Sequence, residues 1–183
     1  MRAEAQSHID QINAATALLR RFLDWDRALR RLDELNTKVE DPSLWDDPKA
    51  AQEVMRERRR LDEAINATRA IERELADTAE LIELANWLSH ETAPDEAIFI
   101  IGYDWSSALP YYADRRSVMF PAPYADASLR HSPTDLALWT GGRPVGAVVD
   151  CGGQADARLS TWMRPLETRY ATSTIVTGCR VYH

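Results

Sequence analysis

Leu18, Phe22, Trp25, Leu29, Leu32, Asn36 and Val39 follow one another at alternating intervals of four and three residues. That spacing keeps one face of a helix apolar and predicts an a/d heptad seam, interrupted by the polar Asn36. Ile9, Ile12 and Ala15 extend the stripe toward the N-terminus. A second seam runs through Val54, Leu61, Ile65, Thr68, Leu75, Ala79 and Ile82. Between the seams lies Asp41-Pro42-Ser43-Leu44-Trp45-Asp46-Asp47-Pro48. Pro42 cannot continue the first helix. Asp47 before Pro48 reads as an N-cap followed by proline at the first helical position. Residues 1–85 are thus predicted as a long antiparallel helical hairpin, with arms of about 35 residues and about 50 Å each. Trp45 is expected to plug its open end. Two helices bury only one stripe each, so such a hairpin calls for a third element or a partner.

The periodicity changes beyond Ala85. Residues 97–102 form a continuous apolar run ending at Gly102, as suits a strand buried on both faces. Residues 116–120, 145–150 and 173–181 are further strand candidates, the last expected at an edge. Helical stretches are predicted at 106–113, 133–140 and 157–170. Residues 87–92 either extend the second long helix or form a short one of their own. This alternation predicts a small open, mostly parallel α/β sheet domain over residues 86–183, and an α + α/β class for the chain. All seven glycines lie at or beyond Gly102, which sharpens the division.

Charge narrows the function classes. The net charge is −7, and residues 1–85 carry 14 Lys and Arg against 19 Asp and Glu. Such a chain is not expected to bind free nucleic acid, because phosphate contacts need clustered unpaired cations. The basic cluster Arg56-Glu57-Arg58-Arg59-Arg60 reads as a solvated helix face. No apolar run approaches the ~18 residues of a membrane span, and no signal pattern opens the chain. The expectation is a soluble, cytoplasmic protein. Cys151 and Cys179 lack metal-site spacing and are expected as reduced, half-buried thiols. A disulfide between them would need an oxidising compartment. Neither a metal nor a cofactor is expected.

Candidate chemistry gathers where the strands end, the usual ligand position in open α/β sheets. Tyr103, Asp104, Trp105, Ser106, Gly152 and Gly153 could form a sugar or phosphate pocket there. The structural reading is favoured: Asp104 caps a helix, Trp105 is core and the glycines make a turn. No Gly-x-Gly-x-x-Gly is present. No Ser/His/Asp set is legible, since His90, His131 and His183 lack evident partners.

Several segments carry a resemblance. Leu23-Asp24-Trp25-Asp26, Arg31-Leu32-Asp33-Glu34-Leu35-Asn36, residues 40–48 and Leu81-Ile82-Glu83-Leu84-Ala85 resemble the N-terminal helical domain of bacterial peptide chain release factor 2. The resemblance implies a domain that does no chemistry and touches the ribosome's factor-binding region. The ribosome is the partner the resemblance implies, and self-association is the alternative suggested by the hairpin's uncovered apolar stripe. The family's downstream machinery hydrolyses peptidyl-tRNA with a Gly-Gly-Gln loop, and this chain has Gly152-Gly153-Gln154. The surroundings differ: the tripeptide follows a predicted buried strand and precedes Ala155-Asp156. Ser132-Pro133-Thr134, near the family's codon-reading Ser-Pro-Phe, reads as a helix start. Gln154 is accordingly not expected to be catalytic, and the chain is read as leaning away from being an enzyme.

Residues 87–88, 92–97, 102–113 and Arg115-Arg116 resemble the soluble C-terminal domain of bacterial polytopic membrane glycosyltransferases. In that family the catalytic acidic residues lie in the membrane part. What the resemblance implies here is an extracytoplasmic accessory domain contacting sugar or lipid-carrier headgroups. The combined reading is a fusion of two ancestries joined near Ala85-Asn86. It is read as engineered, because the two parent compartments disagree. The alternatives are a translation termination protein using Gly152-Gly153-Gln154 and a glycosyltransferase fragment.

Overall fold

A computed structural model describes residues 2–102, 106–120, 139–151, 170 and 172–183. The chain divides into two compact units, Met1–Thr78 and Ala79–His183.

In the first unit, α1 (Arg2–Phe22) and α2 (Trp25–Glu40) form one arm, and a 3₁₀ turn (Pro42–Asp46) leads into α3 (Pro48–Glu91). The connection follows the local chemistry. The Asp41 carboxylate accepts the Ser43 N–H at 2.9 Å, and Asp47 accepts the N–H groups of Lys49 and Ala50 at 3.0 and 3.1 Å. Asp47 is thus the cap expected ahead of Pro48. Trp45 is not the expected plug. It is 54% exposed, with its indole N–H donated to the Val39 carbonyl at 3.3 Å. The indole is tied to the last turn of α2 instead.

The first arm is not one continuous helix. Asp24 adopts the left-handed conformation, φ 46° and ψ 64°, and separates α1 from α2. Aspartate tolerates that region better than most residues. The break turns the apolar stripe. Leu18 and Phe22, expected in the seam, are 62% and 88% exposed, while Thr16, Ala28 and Leu35 are buried. The second seam holds as read. Ile65, Thr68 and Leu75 are buried, and Val54 and Leu61 are half-buried.

In the second unit five strands form one sheet in the order β2-β1-β3-β5-β4. They are β1 (Ala97–Ile101), β2 (Arg116–Phe120), β3 (Val145–Asp150), β4 (Ser173–Val176) and β5 (Cys179–Tyr182), with α4 (Ala108–Ala113) between the first two. β1 lies parallel to both β2 and β3. The predicted last strand is instead an antiparallel hairpin, β4–β5, with β5 pairing to β3. The sheet is therefore mixed, three parallel strands extended by a hairpin. Thr177 (φ 46°) and Gly178 (φ 82°) supply the two positive dihedrals that a two-residue type I′ turn demands. The helices expected at 133–140 and 157–170 lie almost wholly outside the described residues.

Every residue of β1 is buried, and the strand separates two cores. Ile98 and Ile100 face Leu84, Ala85 and Leu88 of α3 with Leu109 and Ala113 of α4. Phe99 and Ile101 face Phe120, Val148 and Tyr182. Phe99 and Phe120 stack with ring centroids 4.9 Å apart. Burial on both faces is why this strand reads as an unbroken apolar run.

Cys151 and Cys179 form a disulfide, where reduced thiols were expected. The reason is register. Asp150 pairs with Arg180, so the next antiparallel pair sets Cys151 opposite Cys179, with Cα atoms 4.3 Å apart. That separation suits a non-hydrogen-bonded cross-strand pair. With the β4–β5 turn hidden, the sequence conceals this juxtaposition.

Candidate interaction surface and ligand-site residues

The hairpin's polar chemistry lies in pairs across its arms. Arg58 Nε donates to Asn36 Oδ1 at 2.7 Å. Arg20 pairs with Glu72 at 2.6 Å. Arg31 makes a two-pronged contact with Glu57 at 2.7 and 2.8 Å, and reaches Glu34 at 3.0 Å. Arg58 and Glu72 sit at heptad positions of α3, between Val54 and Leu61 and between Thr68 and Leu75. A polar side chain at such a position favours the register that supplies its partner. The signal was present as two gaps in the α3 seam, but the sequence does not say which residues fill them. The Arg20 guanidinium also lies 4.4 Å from the Trp25 ring centroid, a cation–π distance.

The Arg31–Glu57 pair shifts titration in the direction expected of an exposed ion pair. The hydrogen bond from Arg31 holds the Glu57 carboxyl below its ordinary range, and the same bond keeps Arg31 more firmly protonated. The Ser43 backbone N–H lowers the Asp41 carboxyl. All are solvent-accessible, so their individual contributions are small.

At the sheet, the carboxyl ends of β1, β2 and β3 lie side by side. Gly102 donates its N–H to the Phe120 carbonyl at 3.0 Å, and Cys151 donates to Ile101 at 3.1 Å. Gly102 has φ 76°, which ends the strand at a residue without a Cβ. Of the candidate ligand residues, Ser106 is half-buried, and its Oγ accepts the Ala108 N–H at 3.3 Å ahead of α4. That is local turn chemistry. Tyr103, Asp104, Trp105, Gly152, Gly153 and Gln154 lie outside the described residues, as do Ser132 and Pro133. Among the described residues, no group of three or more His, Cys, Asp or Glu could hold a metal ion. No described helix is long and apolar enough to cross a membrane.

One structural contact escaped the sequence reading. Arg115 sends its guanidinium to the end of α3, donating to the carbonyls of Ser89 and Thr92 at 2.9 and 2.6 Å and to Thr92 Oγ1 at 2.9 Å. It also donates to the Asp114 carbonyl at 2.8 Å. A cation there satisfies helix-end carbonyls and complements the dipole.

The first unit is thus a helical hairpin whose arms are joined by polar pairs. The comparisons then place its N-terminal region: residues 28–98 match the PCRF domain. Peptide chain release factor 2 of Paramagnetospirillum magneticum is 55% identical over 97 residues, 53% of this chain and 26% of that protein. That of Roseobacter denitrificans is 50% identical over 84 residues, 46% of this chain and 22% of the relative. That of Caulobacter vibrioides is 53% identical over 74 residues, 40% of this chain and 20% of the relative. The chain spans about a quarter or less of the length of these relatives. The PCRF match runs 13 residues past Ala85, to the second residue of β1. The glycosyltransferase resemblance of residues 86–183 gains no support from the comparisons. No solved structure matches the chain.

Proposed function

We propose that the hairpin is a release-factor-type interaction module that docks on the ribosome without performing chemistry. The observation that carries this reading is the 55% identity over 97 residues, in a segment whose arms are joined by the pairs Asn36–Arg58, Arg20–Glu72 and Arg31–Glu57. Residues 86–183 form an accessory α/β domain attached to that module, in a fusion of two ancestries. Its ligand side is the carboxyl end of β1 and β3, where a sugar phosphate or lipid headgroup would sit. One continuous reading frame found in a genome would rule out an engineered origin and leave natural recombination.

Co-sedimentation with purified 70S ribosomes tests the docking. The chain is expected to pellet with ribosomes and to be displaced by full-length release factor 2. Failure to pellet at micromolar concentrations overturns the reading. A peptidyl-tRNA release assay separates binding from catalysis, with no release expected. Release lost in Gln154→Ala would reinstate the Gly-Gly-Gln loop. For the α/β domain, titration of sugar phosphates should change tryptophan emission, and a flat response would remove the ligand role.

A further inference from the structure

The break between α1 and α2 opens a groove of about 490 Å³. Leu23, Ala28, Leu61 and Ala64 line it, and Phe22, 88% exposed, borders it. Arg27, Arg31 and Arg60 contribute cations to the same lining. Arg31 is consumed by Glu57 and Glu34. Arg27 and Arg60 are exposed and make no ion pair among the described residues. The left-handed Asp24 that creates the groove is a non-glycine residue in a region costing on the order of 1 kcal/mol or more. An aromatic ring left in water beside two uncommitted arginines marks a surface suited to a partner.

We propose that this groove binds an acidic amphipathic segment of a partner protein. An apolar side chain of that segment enters beside Phe22, and its flanking carboxylates meet Arg27 and Arg60. The chemistry favours peptide over nucleic acid. Glu57 is already paired with Arg31, which leaves Arg27 and Arg60 facing the single carboxylate of Asp24 in this lining. An apolar floor rewards a buried side chain rather than a sugar-phosphate backbone.

The test uses the full chain and a fluorescein-labelled 14-residue peptide with Leu and Phe on one helical face and Asp and Glu on the other. A matched peptide carries Lys in place of the acids. Anisotropy should show the acidic peptide binding and the basic one at least about tenfold weaker. Arg27→Glu with Arg60→Glu should weaken the acidic peptide about tenfold or more, and Phe22→Ser by a similar factor. These three side chains are exposed, so circular dichroism should confirm an unchanged fold. No binding, or binding indifferent to both variants, overturns the proposal. Stronger binding of a 12-nucleotide RNA with the same variant sensitivity assigns the groove to nucleic acid and also overturns it. Dimerisation of the chain alone, abolished by the same variants, overturns it in favour of a second copy.

Discussion

Arg115 binds Thr92 twice, through the carbonyl at 2.6 Å and the side-chain hydroxyl at 2.9 Å. Thr92 is 5% exposed and follows directly on α3, so the arginine supplies donors that water cannot readily replace. The cluster ties the end of α3 to the turn that launches β2. Arg115→Ala should destabilise the α/β unit by about 1–3 kcal/mol, through carbonyls left without donors. Arg115→Lys should recover part of the loss, keeping the charge but not the fork. Urea denaturation followed by tryptophan emission checks both. Equal stability of all three proteins would show the contact to be incidental.

The Asn36–Arg58 bond is a polar contact inside an apolar seam, and it should trade stability for register. Replacing Asn36 alone by Leu leaves a half-buried Arg58 without its acceptor and should lower the melting temperature. Replacing both by Leu should raise it and promote self-association, because a continuous apolar stripe accepts more than one register and partner. Sedimentation velocity of the double variant is the deciding measurement. A monomer with unchanged melting would mean the pair sets nothing.

How far the sequence could foresee these contacts depended on the range of their causes. The α3 seam and the Asp47-Pro48 start rest on local spacing and capping, and both were legible. So was β1, whose double-faced burial leaves an unbroken apolar run. The break at Asp24 was not, because one residue entering the left-handed region leaves the flanking helical pattern intact. Thr177-Gly178 escaped because a β-branched residue is an unusual occupant of a positive-φ turn position. The disulfide followed from that omission, since only the β4–β5 hairpin brings Cys179 beside β3. The ligand residues after β1 and β3 rested on fold analogy, and of them the described structure assigns a local role to Ser106 alone.

The hairpin should weaken in acid through two carboxylates. Glu57 and Asp41 both titrate below their ordinary range in the folded chain, through the Arg31 hydrogen bond and the Ser43 backbone N–H respectively. A lowered folded pKa means stability that is present above the unfolded value and lost as pH falls through the folded one. Helicity at 222 nm should therefore decline as pH drops below the ordinary carboxylate range. Glu57→Gln should flatten that decline and lower stability slightly at neutral pH. An acid profile identical to wild type would exclude Glu57 as a contributor.

A side chain at Gly146 in β3 fits only if Glu96 moves. A Cβ there would stand 3.0 Å from Glu96 Cβ and closer still to its carboxylate. That carboxylate accepts the Ala93 N–H at 2.7 Å and holds the turn before β1. Gly146→Ala should cost about 1–3 kcal/mol by displacing Glu96. The two substitutions should not add: with Glu96→Ala already present, Gly146→Ala should cost much less. A double-mutant cycle by chemical denaturation tests this, and strict additivity would refute the steric link.

The disulfide should matter to the α/β unit and be nearly invisible to the hairpin. Cys151 and Cys179 are 28 residues apart, and a loop of that size corresponds to about 3–4 kcal/mol of denatured-state restriction. The bond lies beyond the last described pair of the β3–β5 ladder, where it joins the end of one strand to the start of the other. Cys151→Ser with Cys179→Ser should therefore lower the denaturation midpoint of the α/β unit while leaving helicity at 222 nm largely intact. Maleimide labelling followed by mass spectrometry should find no reactive thiol in the oxidised protein and two after reduction. Two labelled thiols without reductant would show the pair open in solution. In that case reductant should leave the denaturation curve unchanged.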